Sequence, residues 1–245
     1  MGAGRFIPSG AFFRRFVAGA AIRHIKDNHL PRNSSLISMI DFDSKARLWD
    51  GNPVFQKRAD RIASAIRAAI PLNTRMRALD YGCGTGMLSF PLKDALGHIT
   101  LKDNSAGMLE VLGEKIAAQG VVNMTARQAD LTDEPLPEER YDLIYSSMVL
   151  HHIPDTAHIL ATFHALLDPG GWLCAADLDR EDGSFHGIGV DVHHGFDREA
   201  LREQAKAAGF DEVRFETVFE IVKEQEQGTR AYPALDRKST RLNSS

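Results

Sequence analysis

Phe55, Ala59, Ile62, Ile66 and Ile70 recur at spacings of four and three, which predicts one face of a helix closed by Pro71. The apolar run in MRALDY (76–81) then predicts a buried strand. A helix is expected from about Met87 to Ala95, a second strand at HITLK (98–102), and a second helix marked by Met108, Leu109, Leu112 and Ile116. VVNMTARQA (121–129), YDLIYSSMVL (141–150) and WLCAADL (172–178) supply a third, fourth and fifth strand. Residues 156–167 read as a helix and DPGG (168–171) as a turn. A last helix runs from about Arg198 to Ala208, stopped by Gly209, and EVRFETVFEIV (212–222) is a long strand. Strands alternating with helices imply an α/β fold, a doubly wound parallel sheet covered on both faces.

The two ends depart from this pattern. Residues 1–38 interleave Phe6, Ile7, Phe12, Phe13, Phe16, Val17 and Ile22 with arginine, and hold no acid before Asp27. They read either as an Arg-rich organelle-targeting extension or as translated sequence upstream of a start at Met39, and loose packing is expected of them. The domain is expected over 39–236. At the far end Asp236, Arg237 and Lys238 follow Leu235 at once, so a final strand there would be short. Residues 237–245, with KSTRLNSS at 238–245, follow no structural pattern and resemble translated adapter sequence or a polar tail.

With 43% hydrophobic residues among 245, the chain can bury a sizeable core and is not disordered throughout. The net charge of −4 is unevenly spread. Residues 1–38 carry six bases and one acid, which leaves 23 bases against 32 acids for the rest. So acidic a domain lacks the electrostatic footprint for nucleic acid. Cys83 and Cys174 sit in apolar runs and give neither a disulfide framework nor zinc spacing, which suits a reducing, cytoplasmic setting; an organelle is the alternative if the extension is a presequence. No apolar run approaches a membrane span.

Against that background ALDYGCGTGMLSF (78–90) stands out: a strand, a turn carrying Gly82, Gly84 and Gly86, then a helix. This is a nucleotide-binding arrangement. A dinucleotide fingerprint needs glycine at position 87, where this chain has Met87. It also aims a helix N-terminus at a pyrophosphate, and Asp80 would set a carboxylate beside that anion at a cost of roughly 1–4 kcal/mol. A cationic ligand reverses the sign. S-adenosylmethionine carries a sulfonium and an ammonium and no phosphate. Asp103, 19 residues beyond Gly84, ends the second strand, where a carboxylate can accept both ribose hydroxyls; Asp130 follows the third strand, within reach of an adenine amino group. Each acid alone reads as solvated surface. Together they stand at the carboxyl ends of three successive strands, the edge where such sheets bind ligands.

LDYGCGTG, DNSAGML, QADL, YDLIYSSMVLHHI and LLDPGGWL, in that order, resemble the motifs of class I S-adenosylmethionine-dependent methyltransferases, closest to the type 11 or UbiE-like group of small-molecule enzymes. The resemblance covers about Phe42 to Pro233. It implies a seven-stranded sheet whose last strand runs antiparallel between the fifth and sixth. It implies that Asp80, Gly82 and Gly84 hold the methionine end, Asp103 the ribose, and Asp130 with Leu131 the adenine, with Cys83, Thr85, Gly86, Asn104, Met108 and Ser146 also at the cofactor. FDSKARLWD (42–50) would lie over the cofactor with Trp49 facing it, although plain packing also accounts for Trp49.

Methyl transfer from a sulfonium asks the protein mainly to align the reactants and exclude water. A base is needed only when the acceptor arrives protonated, and no metal is required. His151 and His152 follow the fourth strand, while His193 and His194 lie between the fifth strand and the next helix. His151 reads first as a packing or cofactor-edge residue; His193 and His194 read equally as a helix cap or as catalytic groups, so the three are tentative catalytic candidates. SSMVLHHIP lacks the Asn/Asp-Pro-Pro-aromatic element of enzymes that methylate adenine or glutamine amino groups. A small-molecule acceptor is therefore expected, with neither nucleic acid nor membrane as partner. A nucleotide-dependent oxidoreductase and a cofactor-binding regulatory module without turnover are the alternatives.

Overall fold

The computed structural model describes residues 15–18, 42–133, 135–183, 185–186, 190–220, 222–225 and 228–231. In chain order these form β1 (Arg15–Ala18), α1 (Phe42–Trp49), α2 (Pro53–Ala69), β2 (Arg77–Tyr81), α3 (Ser89–Leu92), β3 (His98–Asp103), α4 (Ala106–Ala118), β4 (Met124–Gln128), β5 (Tyr141–Ser147), α5 (Thr156–Leu166), β6 (Leu167–Ala176), α6 (Arg198–Ala207), β7 (Glu212–Phe215) and a hairpin of β8 (Val222–Gln225) with β9 (Gly228–Ala231).

Five parallel strands in the order β4-β3-β2-β5-β6 make the frame of an α/β, Rossmann-like fold. Successive side chains of a strand point to opposite faces, so each strand feeds two cores. Leu79, Ile144 and Leu173 pack with Ile159, Phe163, Leu201 and Phe210 beneath α5 and α6. Ala78, Ile99, Leu143 and Tyr145 pack on the other face with Ile62, Ile66 and Leu112 of α2 and α4. Leu79 and Leu143 are fully buried, each contributing about 1.5–3 kcal/mol relative to exposure.

Helix starts are set by side chains that satisfy orphan amides. Asn52 accepts from Val54 N (2.9 Å) ahead of Pro53, which opens α2. Ser105 accepts from Met108 N (3.1 Å) at α4, Asp155 from His158 N (2.9 Å) at α5, and Asp197 from Ala200 N (3.0 Å) at α6.

Four expectations change. The antiparallel strand expected between the fifth and sixth is not what fills that place: β1 lies there, parallel to both β6 and β7. Loose packing of residues 1–38 therefore fails at Arg15–Ala18, which pair with Trp172–Ala175 on one side and Glu212–Phe215 on the other. The strand expected over 212–222 stops at Phe215, because β1 offers only four residues to pair with. The DPGG segment is drawn into β6 rather than standing apart: Tyr141 pairs with Leu167, and the register then shifts so that Leu143 meets Trp172. The remainder of the N-terminal extension, the short final strand before Asp236 and the tail 237–245 lie outside the described residues.

Candidate active site

β2 delivers Asp80 and Tyr81 to the carboxyl edge of the sheet, and the glycine turn follows at once. Gly82 has φ +69°, and a Cβ there would stand 2.2 Å from Val149 Cγ2. Glycine at 82 thus lets the loop after β5 close against the turn. The Asp80 carboxyl is buried and accepts from the Ser89 hydroxyl (2.6 Å), whose oxygen lies 2.5 Å from Tyr145 Oη. Burial pushes the Asp80 pKa up to about 7, against the partial opposition of Ser89.

Asp103, at the end of β3, accepts from Gly84 N (2.7 Å) and Ser105 N (2.9 Å). Burial raises its pKa while these amides oppose the shift. Asp130 follows β4 and accepts from Tyr81 Oη (3.2 Å), Thr132 N (3.0 Å) and Thr132 Oγ1 (2.6 Å). Burial raises Asp130, but the hydrogen bonds from Thr132 and Tyr81 outweigh it and hold the carboxyl below its ordinary value.

α1 lies across this edge, tied to α4. Asp43 accepts from Ser105 Oγ (2.5 Å) and Gly107 N (2.8 Å). A Cβ at Gly107 would stand 2.9 Å from Asp43 Cα, so glycine permits the approach. Arg47 pairs with Glu110 (2.6 Å) and Glu114 (3.1 Å), and Asp50 accepts from Thr85 Oγ1 and Lys115 Nζ. These ties place Trp49 and Phe42 over a cavity of about 850 Å³, with Phe55 against Trp49 at 4.7 Å between ring centroids.

The other end of the cavity is imidazole and arginine. Met148 has φ +61°, a conformation that bulky residues adopt at a cost of roughly 1–3 kcal/mol, and its N–H donates to Ala176 O (2.7 Å). The chain turns there to bring His151 and His152 to the cavity. The His151 ring is 1% exposed, and its Nδ1 stands 2.6 Å from the carboxylate of Asp177, just beyond β6. That contact makes Nδ1 the donor and leaves Nε2 as a lone pair, which has no hydrogen-bond partner among the described residues. Burial raises Asp177, but its electrostatic interaction and hydrogen bond with His151 hold its pKa below the ordinary value. Burial, and then the neighbouring His151, lower His152 to about 4. His186 completes the group, its ring centroid 4.8 Å from that of His151 and 5.3 Å from that of His152. Arg58, from α2, lines the same end, with its guanidinium over the Phe55 ring at 5.0 Å.

Of the residues expected at a site, Trp49, Asp80, Gly82, Cys83, Gly84, Thr85, Asp103, Asn104, Met108, Asp130 and His151 all line this one cavity. Gly86, Leu131 and Ser146 do not. Gly86 has φ +77° and would place a Cβ 2.7 Å from Leu112, a packing role; Leu131 is buried in the core; Ser146 donates to Tyr81 O (2.8 Å) between strands. His193 and His194 are also outside the lining. His193 Nε2 stands 2.9 Å from Ile153 O, so it is a donor that fastens its loop to the segment after β5, and its N–H donates to His151 O (2.8 Å). His194 is exposed, with its ring against Gly183. Arg58, Asp177 and His186 were not singled out from the sequence. Asp177 carried a signal, as one more acid at the end of a parallel strand.

The lining suits S-adenosylmethionine. A buried carboxyl at Asp80 gains from a cationic neighbour, the edge carboxylates of Asp103 and Asp130 suit hydroxyl and amino donors, and a cavity of about 850 Å³ holds the cofactor with a small molecule beside it. The family profile described as a methyltransferase domain matches residues 55–214. An uncharacterised methyltransferase of Schizosaccharomyces pombe is 31% identical over 150 residues, covering 54% of this chain and 52% of that protein. A ubiquinone biosynthesis O-methyltransferase of Histophilus somni is 29% identical over 148 residues, covering 57% and 62%. The chain spans about half the length of the first curated relatives it matches. Among solved structures, an S-adenosylmethionine-dependent methyltransferase from Aquifex aeolicus superposes with TM-score 0.56 at 19% identity, over 68% of this chain and 87% of its own, a likeness of fold. The profile match takes in most of the chain and every acid of the glycine edge, so the chain belongs to the methyltransferase-domain family, class I and S-adenosylmethionine-dependent.

Proposed function

We infer that the protein transfers a methyl group from S-adenosylmethionine to a small-molecule acceptor held at the Arg58 and histidine end of the cavity. The observation that carries this reading is the division of one cavity into two chemistries. Asp80, Asp103 and Asp130 form one cluster of its lining at the ends of β2, β3 and β4, while His151, His152 and His186 form another, with Arg58 in the same lining.

When bound, S-adenosylmethionine supplies a methyl group on a good leaving group. Asp80 offers its carboxyl to the cationic methionine end, and Asp103 and Asp130 fix the ribose and adenine. α1 covers the cavity and keeps water out, with its Trp49 and Phe42 and with Phe55 of α2 as the apolar ceiling. His151 is the catalytic candidate among the three histidines first considered. His151 lines the cavity with its Nε2 buried and without a partner among the described residues; that lone pair is the one free to accept a hydrogen bond from a protonated acceptor that reaches it, and Asp177 keeps the ring in that tautomer. Arg58 adds positive charge at this end, which favours an acceptor that carries or develops negative charge. The acidic surface and a cavity with aromatic cover argue for a small acceptor over nucleic acid. No helix among the described residues is long and apolar enough to cross a membrane.

The test is calorimetric titration of the full chain with S-adenosylhomocysteine and with NADH, followed by turnover of radiolabelled S-adenosylmethionine on a panel of small phenols, thiols and carboxylic acids. Saturable binding of S-adenosylhomocysteine alone, with label transferred to a panel member, is expected. Binding of NADH in its place would overturn the reading.

A further inference from the structure

The His151 lone pair does not stand alone. His151, His152 and His186 each offer one ring nitrogen, and the three nitrogens lie within 4.8 Å of one another. We propose that these three imidazoles bind a divalent transition ion of the zinc class at the acceptor end of the cavity, with Asp177 as the residue that orients His151.

Four observations converge. The ligand set is all nitrogen, which suits zinc and its first-row neighbours and disfavours magnesium or calcium, which seek oxygen. The Nδ1–H of His151 donates to Asp177 at 2.6 Å, the carboxylate–histidine arrangement that fixes the tautomer and the ring direction of metal-binding histidines. His151 Nε2 is buried without a hydrogen-bond partner among the described residues, a polar atom that a metal would satisfy. Finally, the three histidines come from two distant segments, and their rings cluster with centroids 4.1–5.3 Å apart, in a cavity that also offers open volume.

Tetrahedral zinc at about 2.0–2.1 Å from each nitrogen brings ligand nitrogens to about 3.3 Å from one another. The present spread, within 4.8 Å, must narrow toward that value when an ion binds. Three protein ligands leave a fourth position open, as in catalytic rather than structural sites. All three histidines line the cavity, so an open position on the ion would be available to an oxygen or sulfur of the acceptor and would stabilise its anion. Asp177 offsets part of the ion's charge, while Arg58, which is drawn to Asp177, shares the same end. With an ion bound, His151 Nε2 is a ligand and no longer a proton acceptor, and the ion takes over stabilisation of the acceptor; that role rests on the methyltransferase reading, whereas the binding of the ion does not.

The experiment titrates zinc chloride into chelator-treated, untagged full-length protein in competition with a chromophoric chelator, and records the visible spectrum with cobalt(II) substituted. S-adenosylhomocysteine affinity is measured on every sample. One ion per chain is expected, with an intense tetrahedral cobalt band. His186→Ala and His152→Ala should each weaken zinc by at least about tenfold, and Asp177→Asn by about 10–100-fold, while S-adenosylhomocysteine affinity stays within about twofold. His158→Ala, on the exposed face of α5, should change nothing. His151→Ala is left out of the decisive set because it strips Asp177 of its partner and threatens folding. Zinc binding that is equal in His186→Ala, His152→Ala and the native chain would overturn the proposal. So would a native chain that takes S-adenosylhomocysteine but no ion. A chain that takes zinc with these losses but no S-adenosylhomocysteine would keep the site and defeat the methyltransferase reading instead.

Discussion

The two ends of the cavity are held by opposite means. At the glycine edge, carboxylates are pinned by short-range backbone and hydroxyl donors: Asp103 by Gly84 N and Ser105 N, Asp130 by Thr132, Asp80 by Ser89. At the far end, imidazoles are held by one buried hydrogen bond, from His151 Nδ1 to Asp177, and by contacts among side chains from separate loops. The first end is a local product of strand termini. The second exists only once distant segments have met. A ligand that needs anions and one that needs lone pairs can therefore sit together without either end compromising the other.

The strongest way to break this contrast is to remove the single pair on which the far end depends. His151→Ala removes the Nδ1–H donor to the buried Asp177 carboxylate and should cost about 3 kcal/mol or more in denaturant unfolding. Affinity of the folded fraction for S-adenosylhomocysteine should stay close to native. A parallel loss of affinity would show that the two ends are one unit.

The contrast sharpens with pH. Asp80 has its folded pKa raised from 3.8 to about 7, so its stabilising share is full below pH 4 and is lost as pH rises through 7. That share is of the order of 4 kcal/mol. His152 has its pKa lowered from 6.5 to about 4, so its share is present above 6.5 and lost as pH falls toward 4. Melting temperature of the ligand-free protein, set against Asp80→Asn, should fall across pH 5–8. S-adenosylmethionine should flatten that fall more than S-adenosylhomocysteine, which lacks the sulfonium. A native curve parallel to that of Asp80→Asn would remove Asp80 from the account.

Asp103→Ala is the binding counterpart. Loss of a charged acceptor should weaken S-adenosylhomocysteine by roughly 2–3 kcal/mol, about 30–150-fold, by calorimetry. Asp103→Glu should recover part of this. The smallest effect is expected at Arg47→Ala. Its pairs with Glu110 and Glu114 are solvent-exposed, with side-chain exposures of 63%, 64% and 56%, and should contribute under about 1 kcal/mol. A large change in cofactor affinity there would mean that α1 needs this tie to cover the cavity.

The same contrast explains what could be read from residues alone. Asp80, Asp103 and Asp130 are legible because a parallel strand ends where its apolar run ends, and the acid next in line must face the ligand edge. Trp49 was legible through its motif, though its helix was not. The far end was harder. His151 gave a signal by its place after the fourth strand, but His186 sits in a loop whose path no periodicity encodes. Arg58 lies within an amphipathic helix where a cation reads as surface. His193 misled for a physical reason: a histidine near a site is as useful for donating to carbonyls, here Ile153 O, as for taking protons. The place of β1 between β6 and β7 was the other illegible feature, since four residues such as Arg15–Ala18 carry too little alternation to name a partner.

That short strand has a consequence for the order of assembly. Arg15 pairs with Trp172 and with Glu212, so β1 leaves the ribosome long before either partner exists. Its backbone groups wait unpaired until β6 is laid down, and β7 can join the sheet through β1 only after that. Contacts separated by more than 150 residues are slow to close. The glycine edge, by contrast, is complete once β5 has paired with β2. The protein should therefore acquire a competent cofactor edge first and zip its far border last, with β1 as the clasp.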